Sequence, residues 1–318
     1  MGSKAVCEDL NSSFSSATIR SEMADLANFG YLFQPHVSSG RVPSDLGYRL
    51  YINKLMNKKP LFSEEKNLIN GVLSVAATDP ESLLEQAAKV LSEITHFTAL
   101  ITTPPAGETC VRDIRFVKIG RRSAMIVLMT TGGMVKNKLF RCDYDLTEDI
   151  LGMLGKILNE KFRGELLKLI TPECVNFLVG GNRETSFMLL PVLDVLMQAA
   201  KEACEVEIKI YGRKNLLSLP DVTAESVSGI FNFLENRDKV LRLLNSAGKN
   251  MDFIIGGENI YEELKSASVV LMKYSVGEKS GIAAVIGPTR MDYGMVASQL
   301  EYVSALVGVL LGRILENN

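Results

Sequence analysis

Between residues 15 and 44 the chain reads SSATIRSEMADLANFGYLFQPHVSSGRVPS, where hydroxyls, arginines and one imidazole recur at short spacing. Ser15, Ser16, Thr18, Arg20 and Ser21 crowd the start of a stretch with helical periodicity. His36, Ser38, Ser39 and Arg41 follow in and beside a Ser-Gly-Arg loop. These groups donate and accept hydrogen bonds, but nothing beside them activates a nucleophile. Small hydroxyl side chains let a helix approach a base-pair floor closely, and an arginine among them can take a guanine edge or a phosphate. The chemistry implied is recognition.

The elements that would position these residues are partly readable. Ser15 is a natural N-cap, because its hydroxyl can accept from the free amides of the first turn. A helix is expected from about Ser16 to Asn28, with Ile19, Met23 and Leu26 forming an apolar seam at i, i+4 and i+7. The polar residues fall largely off that seam. A short helix over Ser3–Leu10 and the turn NSSF precede it, which completes a helix-turn-helix reading. Strands near Tyr31–Gln34 and Arg41–Val42 would form a hairpin wing, with His36, Ser38, Ser39 and Arg41 offered to the backbone or minor groove. A capped amphipathic helix with a polar outer face is also the commonest surface helix, so the pattern allows both readings. The first 60 residues carry seven basic and five acidic side chains, a net +2 that is compatible with nucleic acid without requiring it.

Beyond a helix over Ser44–Met56, the charged, proline-containing NKKPLFSEEK (Asn57–Lys66) reads as a hinge, with residues 61–78 as a linker. Asp79-Pro80-Glu81-Ser82 starts a helix bearing Leu83, Leu84, Ala87, Val90, Leu91 and Ile94 at helical spacing. Strand-like runs Thr98–Thr103, Val111–Ile119, Ser123–Thr131 and Met134–Cys142 suggest an antiparallel meander, with a turn at Gly120-Arg121-Arg122. The pattern breaks after Asp143 into helices that run to about Ala203. A strand at Glu205–Gly212 and helices at Ala224–Leu234 and Lys239–Asn245 follow. Strands return at Asp252–Gly257, Ser268–Val276 and Gly281–Gly287, before a terminal helix from Arg290 to about Leu315. Strands flanking a helical block suggest one α+β domain, 79–143 and 224–318, interrupted by an insertion over 144–223.

Composition narrows the function. The 318 residues are 47% hydrophobic and 23% charged with net charge −2, so no global polycation announces a nucleic-acid partner. The mean hydropathy of +0.13 points to buried subunit contacts. The apolar runs at Ala124 and Ser304 fall short of a membrane span, and no apolar h-region opens the chain; a cytoplasmic protein is expected. Five scattered cysteines, Cys7, Cys110, Cys142, Cys174 and Cys204, read as reduced thiols. Two histidines, His36 and His96, lie away from them, so no metal site is expected. No phosphate-binding loop, dinucleotide fingerprint or nucleophile elbow occurs, and the Gly-Gly pairs at 132, 180 and 256 read as turns. No catalytic residue and no cofactor is assigned: the expectation is a protein that is not an enzyme.

Two segments at opposite ends carry a family likeness. Ser15–Met56 resembles the DNA-binding region of the heat-inducible transcription repressor family HrcA, and IGPTRMDYGMVASQLEYVSALVGVLL (Ile286–Leu311) is similar to that family's C-terminal signature. The resemblance implies an α+β multidomain chain. Its parts would be a winged helix-turn-helix over 1–60 and a GAF-like domain over 79–143 and 224–318, with an α/β dimerisation domain inserted at 144–223. It also implies a homodimer on an inverted-repeat operator (the CIRCE element), repressing chaperone operons and modulated by the chaperonin GroEL. The apolar helix Phe187–Ala203, with Leu189, Leu193, Leu196 and Met197, would line the subunit interface or fill the insertion's own core. A GAF-like domain could instead sense a small effector, near Thr102–Pro105 or Gly256–Asn259. Family members ordinarily begin with one further helix ahead of Met1. Its absence would leave Ile19, Met23 and Leu26 partly uncovered, and weak operator binding by this chain is expected.

Overall fold

The computed structural model describes residues 2–9, 14–35, 40–105, 109–172, 183–218, 223–248 and 251–316. Its centre is a five-stranded, wholly antiparallel sheet of β3 (Thr98–Thr102), β7 (Ile208–Tyr211), β8 (Asp252–Ile255), β9 (Ala267–Val276) and β10 (Lys279–Pro288), in the order β7-β3-β10-β9-β8. All five residues of β3 and the last eight of β10 are buried. Continuous burial needs cover on both faces, and both are covered.

One face carries α4 (Ser63–Ala76), α5 (Pro80–Thr95) and α10 (Tyr293–Glu316), packed through Ile69, Leu73, Leu84, Leu91, Leu300 and Val303 onto Ala99, Val270 and Val285. The other carries α8 (Ala224–Glu235) and α9 (Arg237–Asn245), whose Ile230, Phe233 and Leu243 meet Leu100, Val269 and Ala284. Helix α5 begins at Asp79, whose carboxylate accepts from the Ser82 amide at 2.9 Å, and ends at His96, which adopts φ +60° as its cap. In the sheet, Gly281 faces Tyr274, and a Cβ at 281 would lie 2.2 Å from the ring. That glycine makes room for the Tyr274 hydroxyl to donate to the Thr102 carbonyl at 2.5 Å.

Two expectations are corrected here. Residues 61–78 are not a linker, because α4 occupies most of them and buries Ile69, Leu73 and Ala76 in the body. The inserted unit does not begin after Asp143. Strands β4 (Val111–Lys118), β5 (Ser123–Thr130) and β6 (Val135–Arg141) form a separate three-stranded sheet with no pairing to β3. Helices α6 (Glu148–Phe162) and α7 (Arg183–Cys204) cover one face of it. They share a core of Val111, Ile126, Leu128, Phe140, Leu154, Phe162, Val192 and Leu196. The meander therefore belongs to the insertion. Conversely β7, expected inside the insertion, pairs with β3 at the edge of the body sheet.

Ahead of the body lie α1 (Ser3–Asp9), α2 (Ser16–Asn28), the strands β1 (Leu32–Phe33) and β2 (Val42–Pro43), and α3 (Asp45–Leu50), which runs on as a π-helical turn to Leu55. Only Ile19 is fully buried among the described residues before Leu61. This N-terminal unit is thin. The separate cores make local stability separable. Leu154→Ala is expected to destabilise the inserted unit by about 2–5 kcal/mol. Amide exchange should show β4–β6 losing protection while β9 and β10 keep theirs.

Candidate nucleic-acid interface

Helix α2 starts where the capping chemistry places it. The Ser15 hydroxyl accepts from the Thr18 amide at 3.1 Å and lies 3.0 Å from the Thr18 hydroxyl, so these two side chains are engaged at the helix start. Thr18, Arg20 and Ser21 are exposed, and Ser16 is half-buried. On the opposite side Ile19 is buried, Met23 half-buried and Leu26 exposed at 40%. Helix α1 packs against α2, and the Cys7 thiol donates to the Phe14 carbonyl at 3.3 Å. Five of the nominated residues, Ser15, Ser16, Thr18, Arg20 and Ser21, therefore share one end of one helix.

The end of α2 turns at Gly30, with φ +80°, into β1. Strands β1 and β2 pair antiparallel, Leu32 with Pro43 and Phe33 with Val42. Ser44 then welds the unit together. Its hydroxyl donates to the Gly30 carbonyl at 2.5 Å and accepts from the Gly47 amide at 3.1 Å, capping α3 while holding the end of α2. Of the nominated loop residues, His36, Ser38 and Ser39 lie outside the described residues. Arg41, expected on the outer surface, is half-buried and engaged within the chain.

Sequence reading missed a second cluster, on the side that faces the body. Arg49 of α3 grips Glu258 with both arms of its guanidinium: Nε donates to Oε1 at 2.8 Å and Nη2 to Oε2. Nη2 also donates to the Phe253 carbonyl at 2.5 Å. Asp45 accepts from the Gly257 amide at 2.7 Å. Gly256 adopts φ +48°, and a Cβ there would lie 2.4 Å from the Asp45 carboxylate oxygens, so this loop is shaped to admit α3. The loop is held from behind by Asn259, whose amide donates to Gly256, Leu264 and Ala267 carbonyls at 2.9–3.1 Å. Tyr48 and Phe253 both pack against Tyr293, tilted and edge-on respectively, at centroid distances of 5.8 and 6.2 Å. Lys59 pairs with Asp292 and Lys58 with Glu301 alongside. Gly256–Asn259, nominated as a possible effector site, is occupied by α3.

Burial works against ionisation of Glu258, but hydrogen bonds from Arg49 and the Ile255 amide outweigh it and hold its carboxyl below the usual range. Asp292 behaves alike: burial opposes its charge, and Lys59 with the Met295 and Gly294 amides prevails. A separate cavity of about 250 Å³ lies between body and insertion, lined by Asp79, Glu81, Thr103, Met134, Lys136 and Glu207 among others.

The exposed polar face at the capped end of α2 suits a recognition protein, and it is the relatives that place the chain among transcription regulators. The profile of the HrcA protein C terminal domain matches residues 81–297. The heat-inducible transcription repressor HrcA of Ruminiclostridium cellulolyticum is 31% identical over 100% of this chain and 93% of its own length. That of Desulfitobacterium hafniense is 28% identical over 98% of this chain and 91% of its own. A crystal structure of a hypothetical protein shares the fold, with TM-score 0.69 and 23% identity over 99% of this chain and 93% of that one. The chain belongs to the HrcA family of heat-inducible transcription repressors.

The depressed carboxyls fix a pH dependence. A group whose pKa is lowered by a contact stabilises it above the ordinary carboxylate range, and the gain disappears as pH falls through the lowered value. Acidification is expected to loosen α3 from the Gly256–Asn259 loop before the body unfolds. Glu258→Gln should reproduce the loosening at neutral pH, read as faster amide exchange in residues 45–55.

Proposed function

We propose that the chain represses heat-shock chaperone operons by binding an inverted-repeat operator of the CIRCE type as a homodimer. The N-terminal unit acts as a winged helix-turn-helix: α2 enters the major groove and the β1–β2 hairpin lies beside the backbone or minor groove. The observation that carries this reading is the exposed Thr18, Arg20 and Ser21 face at the capped end of α2. Ser15 serves mainly as the cap. Ser16, His36, Ser38, Ser39 and Arg41 belong to the proposed surface through the family resemblance. The body acts as a GAF-like domain, and modulation by GroEL is likewise what family membership implies.

Dimerisation is assigned to the inserted unit, and of the two roles left open for the Phe187–Ala203 face the packing favours the unit's own core. Leu189, Leu193 and Leu196 of α7 fill the insertion's own core, and Met197 packs against it. The open apolar surface is the outer face of the three-stranded sheet. There Val117, Met125 and Leu139 form one cross-strand row, and Met129 with Val135 forms another. Val117, Val135 and Leu139 are 44%, 56% and 56% exposed, a concentration of apolar surface characteristic of an interface.

An effector-responsive repressor is the second reading, favoured by the cavity beside Thr103. Screening metabolites by thermal shift on the whole chain separates the two, because only a ligand-sensing protein is stabilised by a specific compound.

Arg20→Ala should weaken operator binding in fluorescence anisotropy. A base contact predicts a loss of about 1–3 kcal/mol concentrated at one operator position, and a phosphate contact predicts an even loss with a shallower salt slope. Leu139→Lys should convert the dimer to monomer in sedimentation while leaving the far-ultraviolet circular dichroism unchanged, because Leu139 is exposed within the single chain, and the thermal midpoint should lose its dependence on protein concentration.

A further inference from the structure

The reading helix α2 and the body do not share a core. The N-terminal unit instead meets the body through α3 and the residues just after it. Asp45 and Arg49 lie one helical turn apart on α3 and reach the same short loop. One accepts from the Gly257 amide, and the other forks onto Glu258 and the Phe253 carbonyl. Each bond fixes a direction as well as a distance, because a guanidinium fork and a backbone amide both have defined geometry. The loop has no freedom of its own, since Asn259 is 2% exposed and clamps it to Leu264 and Ala267. Gly256 has been given the one residue type that lets the Asp45 carboxylate in.

We propose that Asp45, Arg49, Gly256 and Glu258 form an orienting latch that fixes the reading helix relative to the body, making these residues determinants of operator half-site spacing. The inference rests on the proposed binding of an inverted repeat by a dimer. In such a dimer each reading helix must fall on its half-site through a chain of rigid junctions. One inserted base pair moves a half-site about 3.4 Å along the duplex and turns it by about 34°. A latched head cannot follow both displacements. Without the latch the head keeps its apolar contacts, Tyr48, Ile52 and Met56 packed on the body, and these fix no single angle, so it can tilt where a latched head cannot. The latch residues touch no DNA in this reading, so they act on spacing and not on the half-site itself.

The test measures binding of the 318-residue chain and of its Glu258→Gln and Arg49→Lys variants to duplexes carrying the CIRCE half-sites. The spacer is native, or longer or shorter by one to four base pairs, and a single half-site is included. Wild type is expected to lose about tenfold or more in affinity when the spacer changes by two base pairs. Both variants are expected to lose less than about threefold there and to bind the single half-site as wild type does. Arg49→Lys keeps the charge and removes the fork, so spacing tolerance in that variant identifies geometry as the cause. Circular dichroism melting checks that both variants fold. If the variants discriminate spacing as steeply as wild type, the latch is overturned and the operator reading stands. A folded wild-type chain that binds neither repeat nor half-site overturns the operator reading, and the latch's role in spacing with it.

Discussion

Burial of β10 on both faces is the constraint from which the rest of the structure hangs. Ala283, Ala284, Val285 and Ile286 are fully buried, with α4, α5 and α10 on one side of the sheet and α8 and α9 on the other. A polar side chain there would find no partner, and burying one costs more than a small apolar residue gains. The flanking strands inherit that order. At one edge β3 and β7 send out and receive the inserted unit; at the other, β8 ends in the loop that meets α3. Both functional attachments are thus referred to one rigid frame.

The reading surface and its mounting follow different physics. On α2 Arg20 and Ser21 are exposed to solvent, whereas the Ser15 and Thr18 hydroxyls are engaged with each other at the helix start. The mounting uses ion pairs and aromatic contacts of moderate exposure, such as Arg49–Glu258, with side chains 28% and 35% exposed. Ion pairs of that exposure contribute modestly to stability. Their value here is angular. Tyr48, Ile52 and Met56 add apolar packing against the body beside them, which holds the unit without defining its angle.

How much of this could be read from the chain varied with the range of the interactions. The start of α2 at Ser15 and of α5 at Asp79 was legible because capping is settled within four residues. The strands were legible as strands, but their partners were not. Thr98–Thr102 is buried throughout, whereas β5 alternates between buried and half-buried positions, and that difference separates a two-sided sheet from a one-sided one. Pro104 and Pro105 fall between them, and were the better sign of a boundary than the helical onset after Asp143. In α4, the charged residues before Ile69 masked a sound apolar stripe. Arg49 and Glu258 lie 209 residues apart, and no local pattern pairs them.

The inserted unit leaves and rejoins the body at adjacent strands. The Thr103 amide donates to the Glu207 carbonyl and the Glu207 amide to the Thr103 hydroxyl, both at 2.9 Å. Its two ends are therefore neighbours, although about a hundred residues separate them. Once its own core has collapsed, the insertion presents the body with a short bridge in place of a long loop, and the chain entropy of bringing β3 to β7 has already been spent. The junction thus shortens the effective loop between β3 and β7 to the width of the insertion's base.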